Sequence, residues 1–298
     1  MRILVLNASN VVNNGRNSTL IYKFPNSVLF KNNAIAVSSI SMYYSWFNIT
    51  ADYGNNLFFY SWTSGAVTTT YAINIPDGLY EIADLNALLQ FNMIQNGTYL
   101  IDSAGDFVYY AEIIVNPARY AIQVNTFLVP TVLPATYTAP AGFAGFPAVT
   151  QNPVITFPST FNQIVGYVAG FASNANVGNA YVPPTSQYVS KLANGTLSYI
   201  STIAPNVQPN SSLYVSCSGI NNPYSQPSSI IYSMTPSVAV GGLITEKPPN
   251  YCWNKLIDGT YNELRVTFLG TNLSPIQLND NQITILLAIK DADEMGLK

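Results

Sequence analysis

The chain has 298 residues, with 11 Lys plus Arg, 14 Asp plus Glu and no His. Without histidine, the commonest general base, the usual Ser/His/Asp and Cys/His systems and the commonest metal ligand are missing. Catalysis by carboxylates alone remains possible, with only 14 Asp plus Glu to do it, and the expectation is that the chain is not an enzyme and carries no cofactor.

Charged residues make up 8% of the chain, against about 25% in an ordinary soluble domain, while 21 Tyr and 14 Phe are present. A free monomer usually keeps a charged coat. Aromatic enrichment with charge depletion marks interface cores instead, so much of the surface is expected to be covered by neighbours. The plainer reading is a β-protein with a neutral Asn/Thr surface. A net charge of −3 without a Lys/Arg cluster argues against direct nucleic-acid binding. Cys217 and Cys252 are too few for a disulfide scaffold or a zinc site, and the sequence leaves open whether they pair. Met1–Leu6 is too short for the apolar core of a signal peptide, and no apolar run of about 18 residues predicts a membrane-spanning helix. The triplets starting at Asn48, Asn96 and Asn194 read as chance in a chain so rich in Asn, Ser and Thr.

In chain order, Thr19–Phe24 reads as a first strand closed by Pro25. Ala34–Phe47 is a long second one, with a bulge expected near Ser38-Ser39. It ends in the aromatic run Tyr43, Tyr44, Trp46, Phe47. Residues 56–62 and 69–75 form a hairpin around Ser64-Gly65. One helix is expected, at about 82–95, with Leu85, Leu88 and Leu89 on one stripe and Gly97 as its stop. Asp77, Glu81 and Asp84 near its start resemble a catalytic cluster but read better as caps that complement the helix dipole. Residues 107–115 and 119–128 form a second hairpin, turned at Asn116-Pro117. Residues 129–153, rich in Pro, Ala and Gly, form an irregular loop.

Short strands follow at 154–157, 161–168, 196–203, 211–218, 229–234 and 243–246, with a loop over 170–186. Two period-2 strands close the chain. Leu264, Val266 and Phe268 share one side of the first; Ile283, Ile285, Leu287 and Ile289 share one side of the second. A charged tail runs to Lys298. The reading is all-β: one antiparallel jelly-roll sandwich over 1–298 with extended loops and one short helix, with 98–160 as a possible insertion.

Several stretches, in order, resemble the penton, or minor capsid, proteins of virophages and polinton-like viruses. They are Ile75-Pro76-Asp77-Gly78-Leu79-Tyr80-Glu81-Ile82-Ala83-Asp84-Leu85-Asn86, Phe161–Tyr167, Leu213–Cys217, Glu246–Asn250 leading to Trp253, Leu264–Phe268 with Pro275–Asp280, and Ile283–Leu287. Together they cover about a third of the chain. Tyr167 stands where the family favours Phe, and Asn281 where Pro is common. The resemblance implies an upright single jelly roll that forms homopentamers at the vertices of a small icosahedral double-stranded DNA virion, among trimers of a double jelly-roll major capsid protein. It implies a location in the virion, assembled in the cytoplasm of an infected cell.

A ring needs a heterologous interface, and low charge lightens the desolvation it demands. Tyr43, Tyr44, Trp46 and Phe47 alternate sides, so part of the run is expected against the core and part at a subunit contact. The competing readings are a carbohydrate-binding or adhesion sandwich with a concave aromatic patch, an outer-membrane barrel, and a carboxylate-only glycosidase.

Overall fold

A computed structural model describes residues 1–166 and 196–291. The 170–186 loop and the tail beyond Asp291 lie outside the described residues. Strands β1 (Arg2–Leu6), β2 (Thr19–Phe30) and β3 (Asn33–Tyr43) come first. Then follow β4 (Leu57–Ser64), β5 (Val67–Asn74), helix α1 (Ile82–Gln95), β6 (Tyr99–Ile101), β7 (Phe107–Tyr109), β8 (Ala111–Asn116), β9 (Ala121–Thr126), β10 (Val154–Thr156), helix α2 (Asn162–Val165) and β11 (Leu197–Ile200). The chain ends with β12 (Leu213–Cys217), β13 (Ile230–Met234), β14 (Leu243–Glu246), β15 (Asn254–Lys255), β16 (Gly259–Leu269) and β17 (Thr284–Asp291). The chain divides into two compact units, one of residues 1–47 and 209–298, the other of residues 48–208. The 98–160 stretch lies inside the second.

The first unit is a two-sheet sandwich. One sheet has the order β1-β17-β3-β14, with β15 also on β3; the other has the order β2-β16-β12-β13, and the pairings are antiparallel. If β1, β2, β3, β12, β13, β14, β16 and β17 are lettered B to I, the sheets read B-I-D-G and C-H-E-F. That is the strand order of a jelly roll, with residues 48–208 lying between D and E.

Period-2 alternation supplies the core. Leu4, Leu6, Leu20, Ile35, Val37, Ile40 and Met42 meet Leu213, Val215, Leu264, Val266, Phe268, Ile285 and Leu287, all nearly or fully buried. Burial of each such side chain contributes about 1.5–3 kcal/mol before ordering costs. Pairing of β3 with β17 skips Ser38, because Leu286 faces Ser39 and Leu287 faces Val37. This is the bulge expected from the length of the segment.

In the second unit, β10-β4-β5, β11-β9-β8 and β6-β7 form three small sheets, and α1 packs against β8. Phe58, Tyr60, Trp62, Leu85, Leu89, Met93, Phe157 and Phe161 are among its buried side chains. The α1 start is capped as expected: the Asp84 carboxylate accepts the Glu81 backbone N–H at 2.8 Å. Its end turns at Gly97, at φ +63°, where only glycine is at ease.

Three local expectations are corrected. Pro25 does not end the first strand. β2 continues to Phe30 because it is a sheet edge, and residues 24–27 bulge opposite the single residue Asn262, where proline interrupts no ladder. Residues 162–165 form a helical turn, not a strand. The Phe157, Phe161, Ile164 and Val165 spacing is helical, and all four are buried. Arg2–Leu6, read only as too short for a leader, is a paired strand with Leu4 and Leu6 turned inward.

Candidate subunit-contact surface

The aromatic run leaves β3 at Tyr43 and alternates as its spacing implies. Tyr44 and Trp46 turn into the sandwich, at 6% and 2% exposure. Their rings stack with centroids 4.0 Å apart, and the Trp46 indole N–H donates to the Asn210 carbonyl at 3.2 Å. Burial raises the Tyr44 hydroxyl above the ordinary tyrosine value. Tyr43 and Phe47 stand on the other side of the run and are partly exposed.

Tyr43 belongs to the outer face of this sheet, at the end away from Lys255 and Lys290, which both lie opposite Ala34. It lies opposite Leu243 on β14, and Ser41 lies opposite Thr284 on β17. Leu286 follows beside Ser39, then Val5 and Ile3 on β1. Ile3, Val5 and Leu243 are exposed, and none of the side chains named in this row is charged at neutral pH. A shallow depression at one end of this face is lined by Asn7, Ser41, Tyr43, Leu243, Gln282 and Thr284. The outer face of the other sheet differs. There Glu263 and Arg265 form an exposed pair at 3.6 Å, and Lys23 lies opposite Glu263. Such an exposed pair contributes little to stability.

The carboxylates near α1 do structural work. Asp77 accepts the Ala51 backbone N–H at 2.8 Å, and Asp84 caps the helix as described above. An open depression beside the helix, lined by Gly78, Leu79, Tyr80, Asp84, Ala87 and Leu88, holds one acid. Among the described residues no three His, Cys, Asp or Glu side chains gather closely enough to hold a metal ion. Both cysteines are free: Cys217 is buried, Cys252 exposed. Burial pushes the Cys217 thiol up to about 12, far from the reactive range. Tyr232 donates to Glu246 at 2.6 Å; partial burial and that carboxylate push its hydroxyl up to about 12. Among the described residues no helix is long and apolar enough to cross a membrane.

The sequence reading missed a polar ladder across β8, β9 and β11. Asn116 donates to Gln123 at 2.9 Å, Gln123 to Asn125 at 2.8 Å and Asn125 to Glu112 at 2.6 Å. Ser198 adds a bond to Asn125 at 2.7 Å. The signal was present as polar residues at Gln123 and Asn125, alternating with Ile122 and Val124.

No protein-family model matches this chain, and no curated protein matches it. Among solved structures, the chain is similar to the mavirus penton protein, at 10% identity and a TM-score of 0.39, over 97% of this chain and 98% of that one. It is also similar to a chain in the cryo-EM structure of the Sputnik virophage, at 10% identity and a TM-score of 0.40, over 99% of each. The assignment of the sandwich rests on its strand order.

Proposed function

We propose that this chain is a structural capsid protein, five copies of which form the vertex of a small icosahedral double-stranded DNA virion. The observation that carries the reading is the B-I-D-G and C-H-E-F jelly roll, whose first sheet presents an outer patch around Ile3, Val5, Tyr43 and Leu243 without charged side chains. The ordered motifs support it. Leu213–Cys217 is β12, Leu264–Phe268 lies in β16, and Ile283–Leu287 runs into β17. The two last segments line the sandwich core. A ring of copies would cover Ile3, Val5, Tyr43 and Leu243, which water now meets, and that burial is favourable.

Tyr43 and Phe47 are the contact residues in this reading. Tyr44 and Trp46 hold the strand end beneath them. The remaining vertex surface would meet trimers of a double jelly-roll major capsid protein, and assembly would take place in the cytoplasm of an infected cell. The role asks for no cofactor and no reaction.

Sedimentation of the purified chain, followed by electron microscopy, tests the reading. Five-fold rings are expected, with a mass of five chains or a multiple of five. Tyr43→Asp with Leu243→Asp places two carboxylates on the contact and is expected to yield smaller species with an unchanged fold. A wild-type chain that stays monomeric at high concentration would refute the ring.

A further inference from the structure

Among the described residues, strand β5 is an edge of its sheet, since the order is β10-β4-β5. It pairs with β4 over all eight residues, Val67 to Asn74, without a register shift. Its sequence, Val-Thr-Thr-Thr-Tyr-Ala-Ile-Asn, holds no charge, proline or glycine. Edge strands are normally blunted by shortness, charge, proline or bulges. The other edges among the described residues are blunted in these ways. β1 is five residues long and begins with Arg2, and β14 has four residues and ends in Glu246. β13 is broken by a register shift, and β2 carries Lys23, Pro25 and a bulge. β10 and β11 have three and four residues, and β8 carries Glu112.

The open edge of β5 presents a regular row of backbone groups. Ile75 donates its N–H to Asn56, on the β4 side. In an antiparallel pair such direction alternates, so Val67, Thr69, Tyr71 and Ile73 face β4. Thr68, Thr70, Ala72 and Asn74 turn N–H and C=O outward. Val67 shares a sheet face with buried Ile73, yet is 67% exposed.

We propose that the β5 edge is an interaction surface that pairs, antiparallel, with β5 of a second copy of this chain. The sequence of the strand selects this occupant. When a strand pairs with itself about a two-fold axis, residues near the centre meet their own copies, so a charge there would repel itself. β5 has none. An axis through Thr70 sets Thr70 against Thr70, Thr69 against Tyr71 and Val67 against Ile73. Exposed Val67 then gains an apolar neighbour, and two three-stranded sheets become one of six. A two-fold contact cannot lie inside a five-membered ring, so this pairing joins two rings or two free subunits and does not depend on the shell reading.

The test compares the solution mass of the full wild-type chain with that of Thr70→Pro, Thr70→Lys and Thr70→Val. The proline removes an outward N–H that β4 does not use. The lysine keeps the backbone and sets two like charges together, so it decides the matter if the proline variant fails to fold. The expected result is a wild-type and Thr70→Val mass twice that of the other two. Equal masses for all four overturn the pairing. The ring is judged separately: a fivefold mass in every variant leaves the ring standing and the pairing lost. A twofold wild type with monomeric Thr70→Lys leaves the pairing standing and the ring lost.

Discussion

The Trp46 ring lies on the Tyr44 ring at 4.0 Å between centroids, and its indole N–H closes on the Asn210 carbonyl. This pair anchors the end of β3 to the far side of a long excursion in the chain, since Asn210 lies three residues before β12 in the same sandwich. Trp46→Ala removes a large buried ring and leaves a carbonyl without its donor. It is expected to cost about 3–5 kcal/mol, read as a lower urea midpoint. Tyr43→Ser, on the partly exposed side, is expected to change the midpoint far less, by within about 0.5 kcal/mol, and to act on assembly instead. Equal losses for the two would contradict the division of the run into two sides.

Alternation of this kind was legible in the sequence, and so were the helix at 82–95, the Ser38 bulge and the Gly65 hairpin, because each is set by neighbours within a few residues. Pro25 misled, since whether proline ends a strand depends on whether that strand is an edge, and edges are a property of the sheet. Residues 161–165 misled because the three buried side chains Phe161, Ile164 and Val165 cannot show their period unless Phe157 is counted with them. The division at residues 47/48 and 208/209 had no signal: neither boundary carries a run of Gly, Ser or charge. Nor could the row Tyr43, Leu243, Thr284, Val5 be seen in advance, because it gathers four strands drawn from both ends of the chain.

Tyrosine ionisation tests burial across both units. Burial pushes the Tyr60 and Tyr110 hydroxyls up to about 12, and burial together with the Glu246 carboxylate does the same for Tyr232. In the unfolded chain these groups lose their protons near 10. Between pH 10 and 12 the folded state therefore holds more protons than the unfolded one, and stability falls as pH rises. The contribution is complete below pH 10 and gone above 12. Urea midpoints are expected to drop steeply between pH 9.5 and 11.5, together with a late phase in ultraviolet tyrosine titration. Tyr232→Phe is expected to reduce that late phase by one group; an unchanged titration would contradict the Glu246 contact.

The thiols should separate cleanly. Cys252 is exposed, whereas Cys217 is sealed in the sandwich core with its thiolate strongly disfavoured. A thiol reagent is expected to modify one cysteine in the folded chain and two in urea. Cys252→Ser should abolish the native reaction. Modification of Cys217 at the same rate as Cys252 would mean that the core around Leu264 and Val266 opens readily.

The polar ladder of the second unit offers the sharpest test of its packing. Asn125 accepts from Gln123 and Ser198 and donates to Glu112, and it is itself 1% exposed. Asn125→Leu keeps the volume and removes all three bonds, at a cost of about 1–3 kcal/mol for each buried group left without a partner. Ser198→Ala removes one donor and leaves the rest of the ladder satisfied, so its cost should be about 1 kcal/mol. Asn125→Asp keeps the acceptor for Gln123 and Ser198 but sets a second carboxylate against Glu112, 2.6 Å from the old donor. Like charges at that distance inside a protein repel strongly. Asn125→Asp should therefore be the least stable of the three at neutral pH and should regain stability as the solution is acidified and one carboxylate takes up a proton. Asn125→Leu has no such charge to neutralise and should show no comparable recovery. Parallel pH profiles for the two variants would contradict the contact between Asn125 and Glu112.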